Sequence, residues 1–289
     1  MNAVEGTIPF EGGETWYRIV GDGDRIPLLC LHGGPGALHD YLEPMEAFAA
    51  TGRRVMFYDQ LGCGRSWVEK PADFWTVGLF VREVQAVRDA LELDRLHIFG
   101  SSWGGMLAME YALTQPPGVT SLILSSSPAS IPLWAEETTR LKNQLPPELV
   151  QVLDTADVGS PEYEAAQAEF YARHVCRVVP NPDYVLRSFA GIAEHPDVYM
   201  HMQGPNEFVI TGTLSDWDIS GRLGEIDVPT LFVHGEHDEL TLRQAQVVHE
   251  GIRGSELVTM PHASHMQFVE QPERFVEVVS AFLDRVESA

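Results

Sequence analysis

Short, continuously apolar segments alternate with helical patterns along most of this chain. The segments that indicate strands are TWYRIV (15–20), PLLCLHG (27–33), RRVMFYDQ (53–60), LHIFG (96–100), SLILSS (121–126), PTLFVHG (229–235) and ELVTM (256–260). Strands that are apolar throughout, rather than at every second residue, are buried on both faces, and intervening helices allow them to run parallel. The pattern therefore predicts an α/β fold whose mostly parallel sheet is covered by helices on both faces.

Helical spacing supports this order of elements. A helix from about Trp75 to Leu93 is predicted by apolar residues that recur every three or four positions. Thr241 and Gln244 have the spacing of a capping box, which predicts that a helix begins there. Pro272 suits the first turn of a final helix, because proline lacks a backbone N–H and an N–H at that position would have no partner within the helix.

The alternation of strand and helix patterns stops between residues 128 and 221. This stretch is mostly helical in pattern, with breaks at LPPE, VGSPE and VPNPD. We therefore predict a core formed by residues 1–127 and 222–289, and a helical cap, residues 128–221, inserted between the two halves of the core.

Charge and cysteine content narrow the class of protein. The 289 residues carry a formal net charge of −23, which repels nucleic acids and anionic membranes, and no run of 18 apolar residues predicts a membrane span. The N-terminus lacks the basic and apolar regions of a secretory signal. The three cysteines are too few for a disulfide framework, which predicts a cytoplasmic protein. The sequence makes no prediction of oligomeric state.

The turn FGSSWGG, residues 99–105, joins an apolar strand to a helical segment and contains the Gly100-x-Ser102-x-Gly104 spacing of a nucleophile elbow. A serine on such a turn presents its hydroxyl at the carboxyl end of the sheet, and the crowded backbone requires small neighbours. The N–H groups that begin the following helix favour negative charge at the same place. We therefore predict that Ser102 is a catalytic nucleophile.

A serine nucleophile needs a base, and the base needs an acid that orients it. In folds with this elbow the acid and the histidine follow later strands, in that order. Asp238 is the predicted acid, with Glu236 as an alternative. The residues alone leave His262 and His265 as equal candidates for the base. A metal site at the two histidines lacks a third ligand with suitable spacing.

The loop LHGGPG, residues 31–36, follows an early strand, and its glycines allow the backbone to approach a substrate oxygen closely. We predict that the Gly34 N–H and the Trp103 N–H form an oxyanion hole. This chemistry requires neither a metal nor a cofactor.

Five segments together resemble the proline iminopeptidase family of α/β-hydrolases: HGGPG (32–36), DQLGCGRS (59–66), GSSWGG (100–105), GPNEF (204–208) and GEHDELT (235–241). The resemblance covers nearly the whole chain and implies a serine exopeptidase that releases an N-terminal residue, often proline, from short peptides. Many members have Arg where this chain has Leu61.

The resemblance also implies roles for individual residues. It carries over Ser102, Asp238 and His265 as the catalytic triad, and so selects the second histidine. It implies further that Glu207 and Glu239 bind the free amino group of the substrate. A buried carboxylate pair suits that task, because an internal peptide bond would leave its charge unpaired.

Two alternatives use the same residues. An aminoacyl amidase or esterase, acting on amino-acid amides or aminoacylated small molecules, would differ only in the pocket wall, for which Trp103, Trp134 and Phe208 are candidates. A hydrolase-fold binding protein without catalysis would fail to react with an active-site phosphonate.

Overall fold

The computed structural model describes residues 3–289, which contain one eight-stranded mixed sheet. The strands are β1 (Ala3–Phe10), β2 (Gly13–Val20), β3 (Arg25–Leu31), β4 (Arg53–Tyr58), β5 (Leu96–Ser101), β6 (Val119–Ser125), β7 (Thr230–Gly235) and β8 (Glu256–Met260). Their order across the sheet is β1-β2-β4-β3-β5-β6-β7-β8. The β1–β2 and β2–β4 pairs are antiparallel, and the remaining pairs are parallel. The predicted α/β fold with a mostly parallel sheet is confirmed.

The antiparallel edge includes a strand, β1, that the sequence did not reveal. Its residues are mostly exposed, so it lacks the apolar run that marks the buried strands. It pairs with β2 through a two-residue turn at Glu11 and Gly12, whose φ angles are 46° and 74°. Positive φ at both central residues is typical of the type I′ turn that favours hairpins.

Helices follow the strands on both sides of the sheet. They are α1 (Val77–Ala90), α2 (Trp103–Leu113), α3 (Ile131–Lys142), α4 (Pro147–Thr155), α5 (Pro161–His174), α6 (Asp183–Glu194), α7 (Asp197–Met202), α8 (Leu242–Gly251), α9 (Gln267–Glu270) and α10 (Pro272–Ser288). A 3₁₀ segment occupies His39–Thr51. No helix within residues 3–289 is both long and apolar enough to cross a lipid bilayer.

The predicted capping box at the start of α8 is wrong in its contacts, although the helix begins at the predicted place. The Thr241 side chain makes no capping bond and donates instead to Glu137 Oε2 at 2.7 Å. The Gln244 side chain donates to the Glu239 carbonyl at 3.3 Å. Contacts with α3 and with the preceding loop have therefore replaced the local pair.

Two apolar layers enclose the sheet. Phe80, Leu107 and Val248, on α1, α2 and α8, pack on one face. Phe48 of the 3₁₀ segment and Phe282 of α10 pack on the other. Burial on both faces explains why the central strands are apolar at every position.

Helices α3 to α7 lie between β6 and β7, within the predicted cap, and part of this region has an apolar cluster of its own. An ion pair of 2.7 Å between Arg187 of α6 and Asp40 of the 3₁₀ segment joins the predicted cap to the predicted core.

Candidate active site

Ser102 lies on a strained turn between β5 and α2. Its φ and ψ are 56° and −123°, a region that costs a non-glycine residue free energy. The small neighbours predicted for this turn are required by contact distances. A Cβ atom at Gly104 would lie 2.1 Å from the Leu31 carbonyl oxygen, and one at Gly100 would lie 2.3 Å from the Gly104 oxygen. The glycines thus allow the turn to pack against β3.

Asp238 and His265 are hydrogen-bonded and buried. The distance from His265 Nδ1 to Asp238 Oδ1 is 2.9 Å, and the two residues are 5% and 4% exposed. Burial lowers the pKa of His265, but the charge and hydrogen bond of Asp238 together with the charge of Glu207 outweigh it, so the net pKa lies above 6.5. The imidazole is therefore held in one orientation with its positive form stabilised.

The Asp238 carboxylate is fixed by several donors besides the imidazole. Oδ1 accepts the Leu240 N–H at 2.8 Å, and Oδ2 accepts the Gly235 N–H at 3.3 Å. Oδ2 also accepts from the Ser126 hydroxyl and from Gln267 Nε2, the latter at 3.2 Å. Sequence reasoning missed Ser126 and Gln267. Neither belongs to a recognisable motif, and the topology alone brings the end of β6 beside the segment after β8.

Ser102 lines a small cavity. Among residues 3–289, no hydrogen bond joins its hydroxyl to His265 or to any other group. The Trp134 ring, which lines the same cavity, contacts the His265 ring with 5.9 Å between centroids. The imidazole therefore lies beside the wall of the cavity that Ser102 faces. Serine–base hydrogen bonds are often long in free enzymes and shorten once substrate binds.

The alternative acid and base lie outside this cluster. The Glu236 side chain is 50% exposed and the His262 side chain is 86% exposed, and the two are 3.7 Å apart at the surface. His237 completes a group of three exposed or half-buried donors there, which does not include His265. The geometry thus associates Asp238 with His265 rather than Glu236 with His262.

Gly34 and Trp103, whose backbone N–H groups are predicted to form the oxyanion hole, both line the cavity. In the described part of the chain neither N–H donates a hydrogen bond. The neighbouring Gly33 N–H, by contrast, is occupied by the Tyr41 hydroxyl at 2.7 Å. Gly34 and Trp103 are therefore free to donate to an oxygen in the cavity.

Glu239 is buried and Glu207 is partly buried, and both lie close to His265. Glu207 accepts a hydrogen bond of 3.0 Å from the Tyr199 hydroxyl, and Glu239 Oε1 lies 3.6 Å from His265 Nδ1. Burial raises the pKa of both carboxyls, and the charge of Glu207 raises that of Glu239 further. Within residues 3–289, neither pairs with Lys or Arg, and Glu239 Oε2 has no hydrogen-bond partner.

The end of α5 supports this cluster through its backbone. The carbonyl oxygen of His174, the last residue of α5, accepts the His265 N–H at 3.2 Å and the Glu239 N–H at 3.3 Å. This one carbonyl of α5 thus holds the loops that carry the imidazole and the second glutamate.

The cavity wall agrees in part with the predicted residues. Trp103 and Trp134 line it, together with Met106 and Ile131. Phe208 does not. It packs inside the cap against Phe170, with 5.2 Å between ring centroids, because the GPNEF turn directs Glu207 toward the cavity and the next side chain away from it.

Gln203 is a cavity residue that sequence reasoning missed. It is 3% exposed, and its side-chain amide has no hydrogen-bond partner among the residues described. Its position directly before the GPNEF motif could have indicated that it lies near the site.

Comparison with known proteins identifies the family of the chain. The profile of the α/β-hydrolase fold matches residues 26–272. The proline iminopeptidase of Saccharolobus solfataricus is 37% identical over 100% of this chain and 94% of its own. Among solved structures, proline iminopeptidase from Mycobacterium smegmatis is 43% identical, with a TM-score of 0.93 over 98% of both chains. VinJ is 39% identical, with a TM-score of 0.95 over 98% of this chain and 99% of its own.

Fold and profile define an α/β-hydrolase. Since relatives of 37% identity or more match over almost the full length, the chain belongs to the proline iminopeptidase family within that class.

Proposed function

We propose that this protein is a serine exopeptidase that releases N-terminal proline, or a similar small apolar residue, from short peptides. The observation that carries the proposal is the carboxylate pair formed by partly buried Glu207 and buried Glu239, which lies beside the Asp238–His265 pair and has no Lys or Arg partner within residues 3–289. Buried carboxylates without a cation are costly, and a substrate ammonium would supply the missing charge.

The proposed reaction proceeds through an acyl-enzyme. The ammonium binds at Glu207 and Glu239, and Ser102 Oγ attacks the first carbonyl carbon while His265 Nε2 accepts the hydroxyl proton. Asp238 holds the imidazole and stabilises its positive form. The N–H groups of Gly34 and Trp103 donate to the oxyanion, an effect of about 3 kcal/mol per donor in other serine hydrolases.

The second half of the reaction uses the same groups. His265 returns its proton to the leaving amine, whose bond to the carbonyl carbon breaks. Water then attacks the ester with His265 as the base and releases the amino acid and Ser102.

We propose a cytoplasmic location for the enzyme, supported by three buried cysteines that are all unpaired.

A substrate panel tests the proposal. Arylamides of proline, alanine and leucine, their N-acetylated forms, and p-nitrophenyl acetate should be compared by kcat/KM. We expect the free prolyl compound to be cleaved best and its acetylated form to be almost inert. Equal cleavage of the free and acetylated compounds would reject ammonium recognition and favour a general esterase or amidase.

Glu207→Gln removes one charge from the proposed ammonium site while it keeps the volume of the side chain. We expect kcat/KM for prolyl arylamide to fall by about 10²- to 10³-fold, since truncation of a buried charge pair costs about 2–5 kcal/mol. Hydrolysis of p-nitrophenyl acetate, which has no ammonium, should change by about threefold or less. Glu110→Gln, at a carboxylate bonded to Trp217, is the control. Equal losses on both substrates would contradict the assignment.

The proposed chemistry uses no metal ion. Activity on prolyl arylamide should therefore be unchanged after incubation with excess EDTA and gel filtration. Loss of activity that added Zn²⁺ restores would require a metal ligand set, and the exposed group Glu236, His237 and His262 would then be the first place to test.

A further inference from the structure

Gln60 contacts both segments that carry the proposed oxyanion donors. Its Nε2 donates to the His32 carbonyl oxygen at 2.8 Å, in the loop that carries Gly34. Its Oε1 accepts the indole N–H of Trp103 at 2.8 Å. Gln60 is fully buried, so no water competes for either bond. A single side-chain amide thus connects the loop after β3 to the first residue of α2.

The backbone of Gln60 adds a second connection, through the His32 ring. The Gln60 N–H donates to His32 Nε2 at 2.9 Å, so this nitrogen is the acceptor and Nδ1 carries the ring proton. Nδ1 in turn lies 3.0 Å from the Gly33 carbonyl oxygen and donates to it. Burial lowers the pKa of His32 to about 4, which keeps the ring neutral in this tautomer near neutral pH.

Hydrogen bonds to the Gly33 carbonyl determine where the Gly34 N–H points. The two groups belong to one planar peptide unit, in which C=O and N–H point in opposite directions. Glycine on both sides leaves this unit free to rotate unless it is held, because neither residue has a Cβ. The His32 ring at 3.0 Å and the Ala37 N–H at 3.3 Å both hold this oxygen and so direct the Gly34 N–H.

Gln60 is itself firmly placed. The preceding Asp59 N–H donates to the Trp16 carbonyl at 3.1 Å, and the following Leu61 N–H donates to Glu83 Oε1 at 2.8 Å. The amide therefore acts from a rigid support.

We propose that Gln60 is a positioning residue that holds the Gly34 and Trp103 donors of the oxyanion hole in one fixed relation. The inference rests on the proposed serine mechanism and adds a residue that would not touch substrate. Its effect would appear when negative charge develops on the carbonyl oxygen, because small errors in donor placement are costly at that point.

Gln60→Met tests the inference, because it removes both side-chain bonds at similar volume. We expect kcat on prolyl arylamide to fall by about 10- to 100-fold with KM changed by about threefold or less. The affinity for a prolyl boronate, which forms a tetrahedral adduct with serine, should fall by the same factor as kcat. Inhibition by free proline, which needs no oxyanion hole, should be unchanged.

Trp103→Phe separates the two bonds, since it removes the indole N–H and keeps the backbone N–H. We expect a smaller loss of kcat than for Gln60→Met. The double variant should show little further loss, because both changes break the same link. The single variant Trp103→Phe also tests the inference if Gln60→Met fails to fold. The control is Gln85→Met, which breaks a similar bridge between Tyr111 and Asp89 at the far end of α2 and should keep full activity.

The outcomes distinguish this inference from the proposed function. Wild-type enzyme that cleaves prolyl arylamide, together with a folded Gln60→Met variant of wild-type kcat and boronate affinity, would overturn the role of Gln60 and leave the function intact. A Trp103→Phe variant with unchanged kcat would overturn the link through the indole. Wild-type enzyme that cleaves neither arylamides nor p-nitrophenyl acetate would reject the function itself.

Discussion

Ser102→Ala should abolish turnover and leave the fold intact. We expect kcat on prolyl arylamide to fall by about 10⁴- to 10⁶-fold, since the base and the oxyanion donors have no nucleophile to assist. Alanine keeps the Cβ of serine, so the strained turn at φ 56° is no less favourable than before. The melting temperature should therefore stay close to that of the wild type.

The matched control for this variant is Ser280→Ala, at a buried hydroxyl on α10 that also has no hydrogen-bond partner within the described residues. Its kcat and melting temperature should match those of the wild type. Active-site labelling with a fluorescent phosphonate should be lost in Ser102→Ala alone. Turnover within tenfold of the wild type in a folded Ser102→Ala variant would remove Ser102 as the nucleophile.

Asp238→Asn should reduce kcat by about 10⁴-fold while the side chain keeps its shape. The carboxylate accepts from His265 Nδ1 at 2.9 Å and from the Leu240 N–H at 2.8 Å, and an amide that places its NH₂ group there would face two donors. The imidazole would then lose the partner that holds Nδ1–H, and with it the tautomer in which Nε2 accepts the serine proton.

The pH profile supplies a second readout of the same change. His265 acts as a base only when neutral, so activity rises as pH passes its pKa, which in the wild type lies above 6.5. Asp238 raises that pKa because its negative charge favours the imidazolium form. Loss of the charge should lower the pKa, and the acid limb of ester hydrolysis should therefore move to lower pH.

Glu236→Gln is the control for this variant, because Glu236 lies in the same loop with an exposed side chain. It should keep the kcat and the pH profile of the wild type. A large loss in Glu236→Gln with little effect of Asp238→Asn would reverse the assignment of the acid.

The sequence predicted the elements whose patterns are local. The buried strands could be recognised because burial on both faces makes them apolar at every position, and the elbow because its turn excludes side chains at Gly100 and Gly104. The edge strand β1 could not, since its mostly exposed residues show no apolar run. The cap bounds at residues 128 and 221 and the site roles stay predictions, which the experiments above address.

Contacts between segments that are distant in the sequence could not be predicted from local sequence patterns. Gln60 and Gln267 are buried amides whose partners lie in other elements, and nothing in their local sequence indicates which groups they bridge. The Thr241 side chain shows the converse, because a local capping pattern was replaced by a bond to Glu137 on α3. Phe208 is another example: it packs against Phe170, whereas its sequence neighbour Glu207 lines the cavity.

The carbonyl of His174 limits how this scaffold can be re-engineered. Because it bonds to the backbone of both His265 and Glu239, a chimera that takes its lid from another hydrolase would need to reproduce this one oxygen in addition to a new pocket. Lid exchange that ends before residue 174 and resumes after 175, where the Val175 carbonyl also holds the Met266 N–H, keeps those bonds. Grafts with that boundary are the appropriate starting point for altering substrate choice, because the backbone bond that holds His265 is kept.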